Sequence, residues 1–119
     1  MLNLENLSIF GINYEVHLQA ATNPIPSRLK SARVSQGISQ RELGIRIGLD
    51  ESSASSRMNH YEKGRHVPDI QTLKKIADEL EVPLAYFFCE SELLAELSCL
   101  IEKLSDEEKS NLINSLKKK

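Results

Sequence analysis

Tryptophan is absent, and only three Phe and three Tyr are spread over 119 residues. A core built from this chain must therefore be mostly aliphatic. No apolar run approaches the roughly 18 residues that a membrane span needs. The N-terminus lacks the charged-then-apolar pattern of a secretory signal, so a cytoplasmic protein without a membrane partner is expected. Cysteine is scarce as well. Cys89 and Cys99 lie ten apart, and His17, His60 and His66 are not spaced to complete a metal site with them. That argues against a disulfide framework and a zinc knuckle, and neither metal nor cofactor is expected. The nucleotide-binding patterns GxxxxGK(S/T) and GxGxxG do not occur. Serines and histidines are present, but with no nucleophile elbow, glycine-rich donor loop or buried acid to orient a base. An enzyme is not expected.

The net charge of −2 hides a split. Residues 27–66 hold eight Lys/Arg (28, 30, 33, 41, 46, 57, 63, 65) against four acids (42, 50, 51, 62). Residues 67–119 hold seven basic against eleven acidic side chains, and residues 1–26 add Glu5 and Glu15. A basic centre with acidic flanks suits a polyanionic partner at one place only.

Residues 1–24 form an N-terminal arm. Within it Ile12, Tyr14, Val16 and Leu18 alternate with polar residues, which reads as a half-buried strand over 12–18 or, alternatively, as part of an unstructured leader. Pro24 and Pro26 break the pattern. From Ser27 the periodicity is helical. The first helix is expected over 27–36, with Leu29 and Ala32 inward, Arg28, Lys30 and Arg33 on a basic face, and Gly37 as its stop. Ser39 and Glu42 have capping-box spacing, with Ile38 and Leu43 placed as a hydrophobic staple, and start a second helix over 40–47. Gly44 in its middle costs about 1 kcal/mol relative to Ala, which points to close approach of another helix. Asp69 caps a fourth helix with an apolar stripe at 70, 73, 76, 77 and 80. Pro83 opens a short fifth helix. Ser91 caps a sixth that carries Leu93, Leu94, Leu97, Leu100, Ile101 and Leu104 on one broad face. Ser105 starts a seventh, with acids at its positive end and Lys117, Lys118 and Lys119 at its negative end.

The third helix is the least ordinary segment. Residues 49–64 read LDESSASSRMNHYEKG. On a wheel of 100° per residue, Ala54, Met58 and Tyr61 cluster on one side, while Ser52, Ser53, Ser56, Arg57, Asn59 and His60 lie opposite. Small hydroxyls, a guanidinium, an amide and an imidazole are groups that can address base edges. A capped helix, a short turn at 48–50 and a second helix with such a face make a helix-turn-helix.

At this point the chain resembles the phage-repressor-like (Xre/Cro-type) helix-turn-helix family. The resemblance rests on RLKSAR, GISQRELGIRIGL and MNHYEKGRHVPDIQTLKKIADELEVPLAYFF, taken in that order. It implies an all-α fold: a five-helix, lambda-repressor-like domain over 25–88, followed here by a two-helix extension over 89–119. It implies that the third helix, about 51–62, lies in the major groove of double-stranded DNA. It puts Ser55, Ser56, Arg57 and His60 at or near base-contact positions; the wheel agrees on the last three, places Ser55 near the core edge and prefers Ser53. Candidate DNA-backbone contacts are Ser39, Gln40 and Arg41 at the second helix, and Ser52, Asn59, Lys63, Arg65 and His66 around the third. The resemblance also suggests an Arg33–Glu62 ion pair joining the first and third helices.

The chain departs from the family pattern in one place. Between Gly48 and Tyr61-Glu62 it has about four extra residues, close to one helical turn of about 5.4 Å. Either Asp50 caps a longer third helix, or the turn grows and Ser52 or Ser53 caps it. The leucine face of the extension needs a cover, from its own domain, from a second copy or from another protein. Two functions share this fold: a transcriptional regulator, most simply a repressor binding a two-fold operator as a homodimer, and an antitoxin-type protein that binds a toxin and represses its own operon.

Overall fold

The computed structural model describes residues 23–119. The expected strand at 12–18 lies outside them. Among the described residues the chain is all-helical: α1 (Ile25–Ser35), α2 (Gln40–Arg46), α3 (Ala54–Glu62), α4 (Ile70–Leu80), a 3-10 helix (Leu84–Phe88), α5 (Glu92–Glu102) and α6 (Asp106–Lys117). No helix among them is long and apolar enough to cross a membrane.

The first four helices and the 3-10 helix surround one core, made of Leu29, Ala32, Leu43, Ile47, Met58, Tyr61, Leu73, Ile76, Ala77, Leu80 and Phe87. It is aliphatic apart from Tyr61 and Phe87, as the composition requires. Leu29, Leu43, Met58, Ile76, Leu80 and Phe87 are fully enclosed, so each buried side chain is worth about 1.5–3 kcal/mol relative to an exposed one.

Helix boundaries follow the capping chemistry, with several departures from the sequence expectation. α1 begins at Ile25 rather than Ser27. The two prolines do not delay it, because first-turn residues have no intrahelical acceptor for their N–H and a fixed φ suits the turn. The Pro24 carbonyl accepts from Arg28 N–H (3.1 Å) and the Ser27 hydroxyl (3.2 Å). At α2 the capping box is only half made. Glu42 N–H donates to Ser39 Oγ (3.0 Å), but the Glu42 carboxylate turns to Arg46 Nε (3.0 Å), where a charged donor outcompetes a backbone amide. α6 has the reciprocal box, between Ser105 and Glu108. The expected fifth helix is the 3-10 helix, with Pro83 as its N-cap.

α5 and α6 extend beyond this core. Ala95 is the only α5 residue that is fully covered. Leu93, Leu94, Leu97, Leu100 and Ile101 are exposed, as are Ile113 and Leu116 of α6. Among the described residues, nothing covers this leucine face. Both cysteines are free, Cys89 buried and Cys99 partly so.

Candidate nucleic-acid interface

α2 and α3 pack closely because Gly44 allows it. A Cβ on Gly44 would lie 2.7 Å from Ala54 Cβ and 3.0 Å from Ala54 O, closer than side chains approach one another. Ala54 is fully buried at this contact and is the first residue of α3. The contact and the turn before it decide where α3 begins. Asp50 does not cap a longer helix. Its carboxylate accepts from Ser52 N–H (3.2 Å), and its carbonyl accepts from Ser53 N–H (3.0 Å) and the Ser53 hydroxyl (3.4 Å). The extra residues therefore lengthen the turn, and the start expected near residue 51 moves to Ala54. Ser53 takes the N-cap position but makes no side-chain cap bond, because its hydroxyl faces back toward Asp50. Ser52 and Ser53 thus belong to the turn rather than to the helix.

On α3, Ala54, Met58, Tyr61 and Glu62 are buried, so the anchor side deduced from the wheel holds. Ser55, Ser56 and Arg57 are exposed; for Ser55 this corrects the wheel, which set it near the core edge. Ser53, Ser56, Arg57 and His60 line one shallow concavity together with Tyr61, His66 and Val67. The His60 and His66 rings meet edge to face, with centroids 5.0 Å apart. Ser55 is not among the residues that line it.

A second concavity lies over the junction of α1, α2 and α3, lined by Pro26, Ser27, Lys30, Arg33, Gln40, Asn59, Glu62 and Lys63. At its floor Arg33 and Glu62 form the bidentate pair that the family resemblance suggested, Nε–Oε2 at 2.6 Å and NH2–Oε1 at 3.1 Å. Arg33 NH1 also donates to the Ile38 carbonyl (2.9 Å). The Glu62 side chain is 2% exposed, a burial that an ionised carboxylate tolerates only when its oxygens are fully hydrogen-bonded. Gln40 completes the set, donating to Glu62 Oε1 (3.1 Å) and Asn59 Oδ1 (3.2 Å). These bonds hold the start of α2 and the end of α3 in one orientation.

Several basic residues are not where the sequence reading put them. Arg28 is not on a basic face but buried, at 3% exposure. Arg41 pairs with Glu51 of the long turn, and Arg46 with Glu42. Among the described residues, Lys30, Arg57, Lys63 and Arg65 of the central segment make no ion pair. All four are exposed. Lys30 and Lys63 rim the second concavity, and Arg57 lines the first. The cationic surface is thus smaller than a count of charges suggests, and it is gathered around α3. Ser39 engages its oxygen in capping, which leaves its hydroxyl proton available to a further acceptor. Sequence reasoning missed Lys30 as part of the second concavity, the Gln40–Asn59–Glu62 bonds and the Arg41–Glu51 pair. The first two join residues far apart in the chain, so no local spacing marks them.

A family model described as helix-turn-helix matches residues 29–87, the span from α1 to the 3-10 helix. The cryptic phage CTXphi transcriptional repressor RstR of Vibrio cholerae is 30% identical over 91 residues, covering 72% of this chain and 78% of that protein. The chain belongs to the Xre-type helix-turn-helix family. It is a DNA-binding transcriptional regulator, not an enzyme. The crystal structure of the transcriptional regulator BswR is similar to it at a TM-score of 0.73 and 42% identity, over 80% of this chain and 94% of that one. That extent passes beyond the family model and into the α5–α6 extension.

Proposed function

We propose that the chain is a repressor that binds a two-fold operator as a homodimer, with α3 in the major groove. Ser53, Ser55, Ser56, Arg57 and His60 face base edges, with Arg57 suited to bidentate pairing with guanine. Ser39, Gln40, Arg41, Ser52, Asn59, Lys63, Arg65 and His66 take the DNA backbone. The observation that carries the reading is the concavity in which Ser53, Ser56, Arg57 and His60 converge, where Arg57 makes no ion pair among the described residues. Repression is supported by similarity to a phage transcriptional repressor over most of the chain.

A second copy is the cover that best suits the bare faces of α5 and α6. Five large apolar residues stand exposed on α5 and two more on α6. α6 also begins with Asp106, Glu107 and Glu108 and ends with Lys117. In a two-fold antiparallel contact, the acids of one copy meet the lysines of the other, so this surface complements itself. The α5–α6 extension, an arm beyond the core, is acidic as a whole, which suits a position away from DNA.

Light scattering together with footprinting tests this reading. The wild type should have the mass of a dimer and protect two half-sites about one helical turn apart, roughly 34–36 Å. Leu97→Glu should yield monomers that protect single half-sites weakly. A monomeric wild type, or a Leu97→Glu variant that still dimerises, contradicts the reading of the arm.

A further inference from the structure

Arg28 binds in a different direction from every other basic residue of the central segment. Its Nε donates to the Cys89 carbonyl at 2.9 Å, and its NH1 donates to Glu92 Oε1 at 2.7 Å. Its guanidinium carbon lies 5.9 Å from the centroid of the Tyr86 ring. The three partners span one junction. Tyr86 lies in the 3-10 helix, Cys89 is that helix's C-cap, and Glu92 is the first residue of α5. Cys89 is extended (φ −76°, ψ 123°), so no continuous helical ladder carries the direction of the 3-10 helix into α5.

The contacts are unequal. The Glu92 side chain is 91% exposed, and an ion pair that reaches solvent is well screened. The bond to the Cys89 carbonyl is buried and made by a charged donor, and losing it strands a buried acceptor. Of the Arg28 contacts, those to the Cys89 carbonyl and the Tyr86 ring face are therefore the stronger. Arg33, five residues further along α1, grips Glu62 at the end of α3. One rigid helix thus holds the reading helix with one arginine and the root of the arm with another.

We propose that Arg28 is a positioning residue: it fixes the angle at which the α5–α6 arm leaves the DNA-binding domain, and so selects the half-site spacing that the dimer accepts. The proposal rests on the dimer reading above. The geometry makes spacing sensitive to this angle. α5 has 11 residues, so it is about 16 Å long, and a tilt of about 10° at its root moves its far end by about 3 Å, close to one base-pair step.

The test uses the full chain and DNA duplexes with two copies of its selected half-site, with the spacing stepped one base pair at a time around one helical turn. The wild type should prefer one spacing by about tenfold or more, a difference of about 1.4 kcal/mol. Arg28→Met should stay dimeric and keep single-half-site affinity, while its preference between neighbouring spacings falls to about threefold or less. Tyr86→Leu, which removes the ring beneath the guanidinium, should flatten the profile in the same direction and is the deciding variant if Arg28→Met does not fold. A dimeric variant with the wild-type spacing profile overturns the proposal alone. So does a variant whose single-half-site affinity falls as far as its paired-site affinity, since that marks a general structural role. A monomeric wild type overturns the dimer reading, and the proposal with it.

Discussion

Gly44 of α2 and Ala54 of α3 meet with no room for a side chain at the glycine, and the helix-turn-helix angle depends on that contact. Gly44→Ala should gain about 1 kcal/mol of helix propensity. It should lose more, because the added methyl falls 2.7 Å from Ala54 Cβ and 3.0 Å from a backbone carbonyl. A net destabilisation of about 1–3 kcal/mol is expected, as for overpacked cores. Urea unfolding measures it, and DNA binding should weaken beyond what the unfolded fraction explains, because α3 is displaced.

The Arg33–Glu62 pair should behave as a buried one. Glu62→Ala strands Arg33 and Gln40 and should cost about 3–5 kcal/mol. Removing both charges with Arg33→Met and Glu62→Met should cost clearly less than the sum of the single changes, because neither charge is then left buried alone. Additive losses in a denaturation double-mutant cycle would show the two to be independent.

On the proposed assignment of Arg41 to the DNA backbone, Glu51, which pairs with it, competes with phosphate. Both side chains are largely exposed, so Glu51→Gln should change stability by less than about 1 kcal/mol. It should nevertheless raise DNA affinity by releasing Arg41 and removing a carboxylate close to phosphate. The slope of log K against log salt should also steepen by about 0.9 for each new phosphate contact. Titration at several salt concentrations distinguishes this from a mere change in fold.

Two helix caps should give the fold an acid-side pH dependence. Thr72 N–H bonds to Asp69 and holds its carboxyl below the ordinary aspartate value, and Ser105 N–H does the same for Glu108. A carboxyl whose folded pKa is depressed contributes stability that is fully present above its unfolded pKa and lost as pH falls through the folded one. Stability should therefore decline as pH drops below about 4. Asp69→Asn keeps a capping side chain that does not titrate, and should flatten that decline in unfolding midpoints measured across the acid range.

Much of this arrangement can be read in the sequence, because its signals are local. The caps at Ser39, Asp69, Ser91 and Ser105 each appear as a short polar residue ahead of an apolar period, and each makes its bond. The anchor triplet Ala54, Met58 and Tyr61 follows helical spacing and is buried. Gly44 announced the close approach of a neighbouring helix through its propensity cost alone. What is not local was not legible. Nothing near Asp50 says that its carboxylate closes a turn instead of capping a helix, since an Asx turn and an N-cap use the same residue types. The placement of Arg28 depends on a carbonyl 61 residues away. A count of positive charges could not tell Arg28 and Arg33, enclosed by partners, from Lys30 and Arg57, which face solvent.

The central claim is that the exposed side of α3 reads bases. Selection of bound sequences from random DNA, done in parallel with the wild type and Arg57→Ala, tests it most directly. The wild type should yield a two-fold consensus. Arg57→Ala should lose preference at one base of each half-site, at a cost of about 1–3 kcal/mol, while the other positions keep theirs. An unchanged consensus, or equal weakening on every sequence, would contradict base reading by this helix.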